Sequence, residues 1–140
     1  MKKVVDASIV IKWYIPEENS DASLELLRKW LHDGDEIVVP ALLLYEVTSV
    51  LRKTVIKEII TNKEAEDIID HLCSLGLFTR SGSKVLYKDA LRLAQTYNCF
   101  TAYDTSYLAL AIEEGCEFWT ADKKFYNTIK GKLLRINLLS

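Results

Sequence analysis

The sequence predicts an α/β domain built on a mainly parallel sheet. Two observations carry this. Short β-rich runs alternate with longer stretches of helical apolar spacing along the whole chain. Turn signals are sparse, with five Gly and two Pro in 140 residues and no linker, repeat or low-complexity stretch. Residues 1–140 are therefore expected to form one domain.

The elements follow in order. Residues 2–5 read as the first strand, which Asp6 ends in "VVDAS". Residues 20–31 place Leu24, Leu27 and Leu31 at helical spacing, and "HDGDE" stops that helix. "EIVVP" is the second strand, closed by Pro40, and "ALLLYEVTSVLRKT" is the next helix. "TNKE" is a capping box opening a helix over 65–75, with Gly76 as its stop. "LFTR" is a short strand candidate. Residues 83–97 read as a helix with Val85, Leu86, Ala90, Leu93 and Ala94 on one side. "TAYDTSYLALAIEEG" has a capping-box start at Thr101, an apolar stripe and a Gly stop. "EFWT", "ADKKFYNTIK" and "LLRINL" then read as strand, helix and strand.

Composition narrows the function classes. At 49% hydrophobic and 27% charged, the chain can bury one core of its own. A net charge of -2 gives no bulk attraction to nucleic acid, although four acids gathered in one pocket would leave a mildly basic remainder. Cys73, Cys99 and Cys116 show neither C-x-x-C pairing nor zinc spacing, and only two His accompany them. Reduced core thiols in an intracellular, cytoplasmic protein are expected. Lys2 and Lys3 before an apolar run imitate a signal peptide, but Asp6 and Lys12 interrupt it. No apolar stretch approaches a membrane span.

Four acids stand where chemistry would need them, and each has a plainer explanation. Asp6 and Asp122 lie at strand-to-helix junctions, where an aspartate can cap a helix or face a crevice. Glu46 has Leu42, Leu43, Val50 and Leu51 as its helical neighbours, which puts a carboxylate at the edge of an apolar stripe. It either reaches water or is paired, protonated or bound to a cation. Asp104 lies along the stripe of Tyr107, Leu108 and Ala111, and Thr101-x-x-Asp104 also fits a capping box. Taken together the four are more specific. Ligands of open parallel sheets bind beyond the carboxyl ends of the strands. Carboxylates converging there repel one another unless a cation intervenes, and oxygen donors suit Mg²⁺ or Mn²⁺.

"VVDAS", "LLLYEVTSVLRK", "TAYDTSYLALA" and "FWTADKKF" occur in an order and spacing that resemble the PIN domain, in particular the VapC-type toxins of prokaryotic toxin–antitoxin pairs. The resemblance covers the whole chain. It implies a three-layer α/β/α fold with a central parallel sheet of about five strands in the order 3-2-1-4-5, which sets Asp6 beside Asp122. It carries the family's acidic quartet onto Asp6, Glu46, Asp104 and Asp122, and its small hydroxyl residues onto Ser8 and Thr120. Thr105 and Ser49 depart from the family's usual Ala and Asn, without removing an acid.

The resemblance further implies metal-dependent hydrolysis of RNA phosphodiester bonds with one or two Mg²⁺ or Mn²⁺ ions. Asp6 and Asp104 would be direct ligands, and Glu46 and Asp122 ligands directly or through water. Arg52, Lys53, Lys57, Lys123 and Lys124 are candidate phosphate contacts or an ordinary solvated face. Trp13 and Tyr14 could stack on an unpaired base, or belong to the core or to a dimer surface; Trp30 and Trp119 read as packing residues. A small antitoxin covering the acidic pocket with an Arg or Lys is expected, as is a homodimer, with Leu24, Leu27, Ile59 and Ile60 as candidate surface.

Other readings fit less well. Phosphoryl transfer through an aspartyl intermediate usually wants an acid where Ser8 stands. A receiver-type switch needs paired acids and a Lys ending the last strand, which "LLRINL" lacks. A catalytically silent PIN-like scaffold that binds RNA or a partner stays as the alternative, against which all four acids argue.

Overall fold

In the computed structural model, residues 1–131 and 136–140 are described. Five parallel strands form one sheet: β1 (Lys2–Val5), β2 (Glu36–Pro40), β3 (Phe78–Arg80), β4 (Glu117–Thr120) and β5 (Ile136–Leu138), in the order β3-β2-β1-β4-β5. The first half of "LLRINL" lies outside the described residues, and its second half is β5. Val4, Val5, Val38 and Val39 are wholly buried, as expected of parallel strands covered on both faces.

Among the described residues, seven helices cover the sheet: α1 (Ala7–Ile11), α2 (Ser20–Asp33), α3 (Leu42–Ile56), α4 (Asn62–Ser74), α5 (Lys84–Thr96), α6 (Tyr103–Glu114) and α7 (Lys123–Ile129). From β1 to β3 the chain steps one way across the sheet, and from β3 to β5 it steps back. Right-handed crossovers then put α1 to α4 on one face and α5 to α7 on the other. Alternation along β4 agrees with this. Trp119 meets Trp30 of α2 edge to face, and its neighbour Phe118 meets Phe125 of α7. No described helix is long and apolar enough to cross a membrane.

Local sequence explains most boundaries. Thr61 and Glu64 form the reciprocal capping box that opens α4. Gly34 and Gly115 end α2 and α6 in the left-handed conformation, which costs a glycine little. On α3, Leu43, Val47 and Leu51 are buried, each contributing roughly 1.5–3 kcal/mol. This stripe fixes the rotation of α3 and thereby the direction of Glu46.

Three readings need correction. Thr101 does not cap α6: the helix begins at Tyr103 with Ala102 at its N-cap and no side-chain cap bond. Val85 is 60% exposed, because Leu86, Ala90 and Ala94 turn the buried face of α5 toward α6. Cys73 is exposed rather than a core thiol. Leu27 belongs to the core while Ile59 stays outside.

Candidate active site

The strand order reverses between β1 and β4, so the connections from their carboxyl ends diverge and leave a crevice. Asp6 directly follows β1, and Asp122 follows β4 by two residues. Asp104 stands in the first turn of α6, in one helical layer, and Glu46 stands on α3, in the other.

Asp6 is 5% exposed and is the most constrained of the four. Its Oδ1 accepts the Ser8 and Ile9 backbone N–H groups at 3.0 and 3.4 Å, making it the N-cap of α1. The same oxygen accepts the Ser8 hydroxyl at 2.5 Å, and Oδ2 accepts the Thr120 hydroxyl at 2.5 Å. The cap and the crevice are therefore one feature. Ser8 Oγ also accepts the Ala121 N–H at 2.8 Å, and Thr120 Oγ1 accepts the Asp122 N–H at 3.0 Å. Two small hydroxyls thus lace the end of β1 to the end of β4.

Asp122 is exposed and caps α7 through Phe125 N–H at 3.0 Å. Glu46 is half-buried and accepts a hydrogen bond from the hydroxyl of Tyr107, a residue 1% exposed on α6. Asp104 is half-buried and makes no side-chain hydrogen bond or ion pair among the described residues. The lost capping box leaves its carboxylate free to face the crevice.

Electrostatics tie these groups together. Burial pushes the Asp6 carboxyl up from 3.8 to about 6, against the lowering effect of its bonds to Ser8, Thr120 and Ile9, with the Asp104 charge adding. Asp104 is also raised, first by burial and then by the charges of Asp122 and Glu46. The Tyr107 hydroxyl is raised by burial and by its bond to Glu46, so it stays a proton donor. No Lys or Arg pairs with any of the four acids among the described residues.

An all-oxygen donor set with no cationic partner among the described residues fits a hard divalent cation better than zinc or copper. Among the described residues, no three His, Cys, Asp or Glu side chains are drawn tight enough to hold an ion by themselves.

The remaining candidates scatter. Lys123 and Lys124 open α7 directly after Asp122 and are exposed. Arg52 and Lys53 lie nearly two turns beyond Glu46, and Arg52 lines a groove against α4. Trp13 is buried in the core, and Tyr14 hydrogen-bonds His71 at 2.8 Å, so neither is presented as a free stacking surface. Sequence reasoning placed Tyr107 on the buried stripe but missed its hydroxyl contact. A tyrosine inside an otherwise aliphatic stripe was the available signal, since a buried phenol needs a partner.

Comparison with known proteins agrees with this fold. The PIN-domain family description matches residues 3–131. Ribonuclease VapC3 of Pyrobaculum aerophilum is 32% identical over 126 residues, 89% of this chain and 92% of that protein. The crystal structure of PAE2754 from Pyrobaculum aerophilum superposes with a TM-score of 0.71 at 20% identity, over 97% of this chain and 83% of that one. A chain of a toxin–antitoxin complex from Klebsiella pneumoniae gives 0.70 at 14% identity, over 99% and 98%. These two structures share the fold. With the strand order, the family match and this degree of identity in agreement, the chain belongs to the PIN-domain family.

Proposed function

We propose that this chain is a Mg²⁺- or Mn²⁺-dependent endoribonuclease and the toxin of a VapBC-type toxin–antitoxin pair, working in the cytoplasm as a single domain over residues 1–140. The observation that carries the reading is the crevice between β1 and β4. The charges of Asp6, Glu46 and Asp122 all couple to that of Asp104 there, no Lys or Arg among the described residues pairs with the four, and the most buried of them is held by Ser8 and Thr120. The 32% identity to a ribonuclease supports RNA as the substrate.

Asp6 and Asp104 would hold the ion directly. Glu46 and Asp122 would do so directly or through water, and either can orient the attacking water. One or two bound divalent ions would supply an acidified water and neutralise charge on the phosphoryl oxygens. Ser8 and Thr120 keep the Asp6 oxygens in place, and Tyr107 does the same for Glu46. Lys123 and Lys124 would steady the RNA backbone next to the crevice.

The same negative crevice would accept the Arg or Lys of a small antitoxin, with charge-assisted bonds to the carboxylates. The shared fold with a chain of a toxin–antitoxin complex supports such a partner. A second copy of the chain is a further expected partner, checked by sedimentation.

The test is cleavage of a mixed single-stranded RNA with Mg²⁺, with Mn²⁺ and with EDTA, with Asp104→Asn as control. Metal-dependent cutting lost in a folded Asp104→Asn protein is expected. Neither cutting nor metal binding by the folded, partner-free chain would favour the silent scaffold instead.

A further inference from the structure

We propose that the cavity beyond the carboxyl ends of β2 and β3 is a nucleobase subsite, taking one unpaired base of the RNA beside the acidic crevice. The proposal rests on the ribonuclease reading and goes further by assigning a place to the substrate's base.

The cavity lies at the same end of the sheet as the crevice, beyond the neighbouring strands, and none of the four acids lines it. Pro40 and Arg80, the last residues of β2 and β3, line it, and β2 lies next to β1. Its walls ride on the helices that carry the acids. Tyr45 precedes Glu46 on α3, and Ser106 precedes Tyr107, the residue that bonds Glu46, on α6. The Glu46–Tyr107 hydrogen bond thus stands between the cavity walls and the acids, and a base seated here would lie on the far side of that pair from Asp104.

Size and chemistry select a flat, neutral ring. The cavity holds about 250 Å³, just under the roughly 300–1,000 Å³ of drug-sized sites. Its floor is the buried pair Leu86 and Leu110, and Tyr45 and Tyr87 stand at its mouth, 77% and 68% exposed. Exposed aromatic side chains gain the fold little, and unpaired bases stack on such rings. The hydroxyl proton of Ser106 goes to the Ala102 carbonyl at 2.7 Å, which leaves a lone pair to accept a base N–H. The Arg80 guanidinium is engaged by Glu113 and Glu114, so the cavity is not built for an anion.

One backbone position supports the arrangement. A Cβ at residue 82 would overlap the Tyr87 ring, so only glycine lets that ring lie over the loop and form the wall. Because Tyr87 is largely exposed, Gly82→Ala would swing the ring away while leaving the core untouched.

The experiment measures binding of a labelled single-stranded oligoribonucleotide to the full-length Asp104→Asn protein by fluorescence anisotropy. A series of the same oligonucleotide carries one abasic nucleotide at each position in turn. One position is expected to weaken binding on the order of tenfold when its base is removed. Adding Tyr87→Ala or Gly82→Ala should weaken intact RNA by a similar factor and abolish the difference at that position. Tyr87→Phe should preserve it. Equal losses on intact and abasic RNA, or no loss, would overturn the proposal. So would a Tyr87→Ala protein that passes from dimer to monomer in sedimentation with base discrimination unchanged, since the cavity would then be covered by a second copy. Wild-type protein that shows this binding pattern yet cuts no RNA keeps the subsite and drops the hydrolytic reading. Cutting with a flat abasic profile does the reverse, and absence of RNA binding removes both.

Discussion

The phenolic hydroxyl of Tyr107 on α6 donates a hydrogen bond to the carboxylate of Glu46 on α3. The two residues are 61 positions apart and belong to opposite helical layers, so the bond crosses the edge of the sheet where the acids gather. Glu46 has its direction set by two constraints, the buried stripe of α3 below it and this hydroxyl above it.

Tyr107→Phe removes the hydroxyl and keeps the buried ring. A hydrogen bond to a charged group is worth about 1.5–3 kcal/mol, so the variant should fold and unfold at lower denaturant. RNA turnover should fall about tenfold or more, in the range seen when a ligand loses its supporting partner. Combined with Glu46→Gln, the losses should not add, because both act on one carboxylate. Unchanged turnover by folded Tyr107→Phe would mean that the helix alone fixes Glu46.

Thr120→Val tests the lacing between β1 and β4. Thr120 is fully buried, donates to Asp6 Oδ2 at 2.5 Å and accepts from Asp122 N–H at 3.0 Å. Valine keeps the shape and loses both bonds, leaving buried polar groups unpaired at about 1–3 kcal/mol each. Equilibrium unfolding in guanidinium should show that loss, and Thr120→Ser should recover most of it. Isothermal titration should show Mn²⁺ affinity down about 10- to 100-fold in Thr120→Val. Unaltered affinity would reduce Thr120 to a stabilising residue.

How much of this was legible in the sequence depended on range. The capping box of Thr61 and Glu64 is local chemistry, and it forms as written. The strands were legible because short β-rich runs stood between helical stretches, while the five residues of α1 are too few to display a helical period. At Thr101 a local signal misled. The capping pattern was present, yet α6 starts one position later, which puts Asp104 in the crevice rather than on a backbone N–H. The four acids could be nominated from strand ends and stripe edges. Their supports could not be derived that way: Thr120 lies 114 positions from Asp6, and Tyr107 lies 61 from Glu46. Such pairings follow from the strand order, and that order came from the family resemblance rather than from periodicity.

Asp6 should make stability depend on pH in a particular direction. Its carboxyl titrates near 3.8 when exposed and near 6 in the fold, raised mainly by burial. Below about 3.8 the group is neutral in both states and costs nothing. As pH rises through 6 the fold must hold a buried charge, so stability is lost over that window, by about 3 kcal/mol in all. In EDTA, Asp6→Asn should therefore be more stable than the parent at pH 7.5, with the gap closing toward pH 4. Mn²⁺ should raise the parent and leave the variant unmoved. Guanidinium midpoints at four pH values check this, and a gap that stayed constant would show that the buried charge is compensated some other way.

The basic side chains make separable predictions because they sit at different distances from the acids. Lys123 and Lys124 follow Asp122 immediately, whereas Arg52 and Lys53 lie about 9–10 Å along α3 from Glu46. If the backbone of the RNA runs over the crevice, Lys123→Ala with Lys124→Ala should weaken binding to all sequences alike. It should also reduce the slope of log affinity against log salt by about 1.4, two phosphate contacts on a single strand. Turnover at saturating RNA should hardly change, because neither lysine touches the carboxylates in hydrogen-bond range among the described residues. Arg52→Ala with Lys53→Ala should shift the slope less, since Arg52 is turned into the groove between α3 and α4. The reverse ranking would send the strand down α3, away from α7, and the path of the RNA would have to be redrawn along that helix.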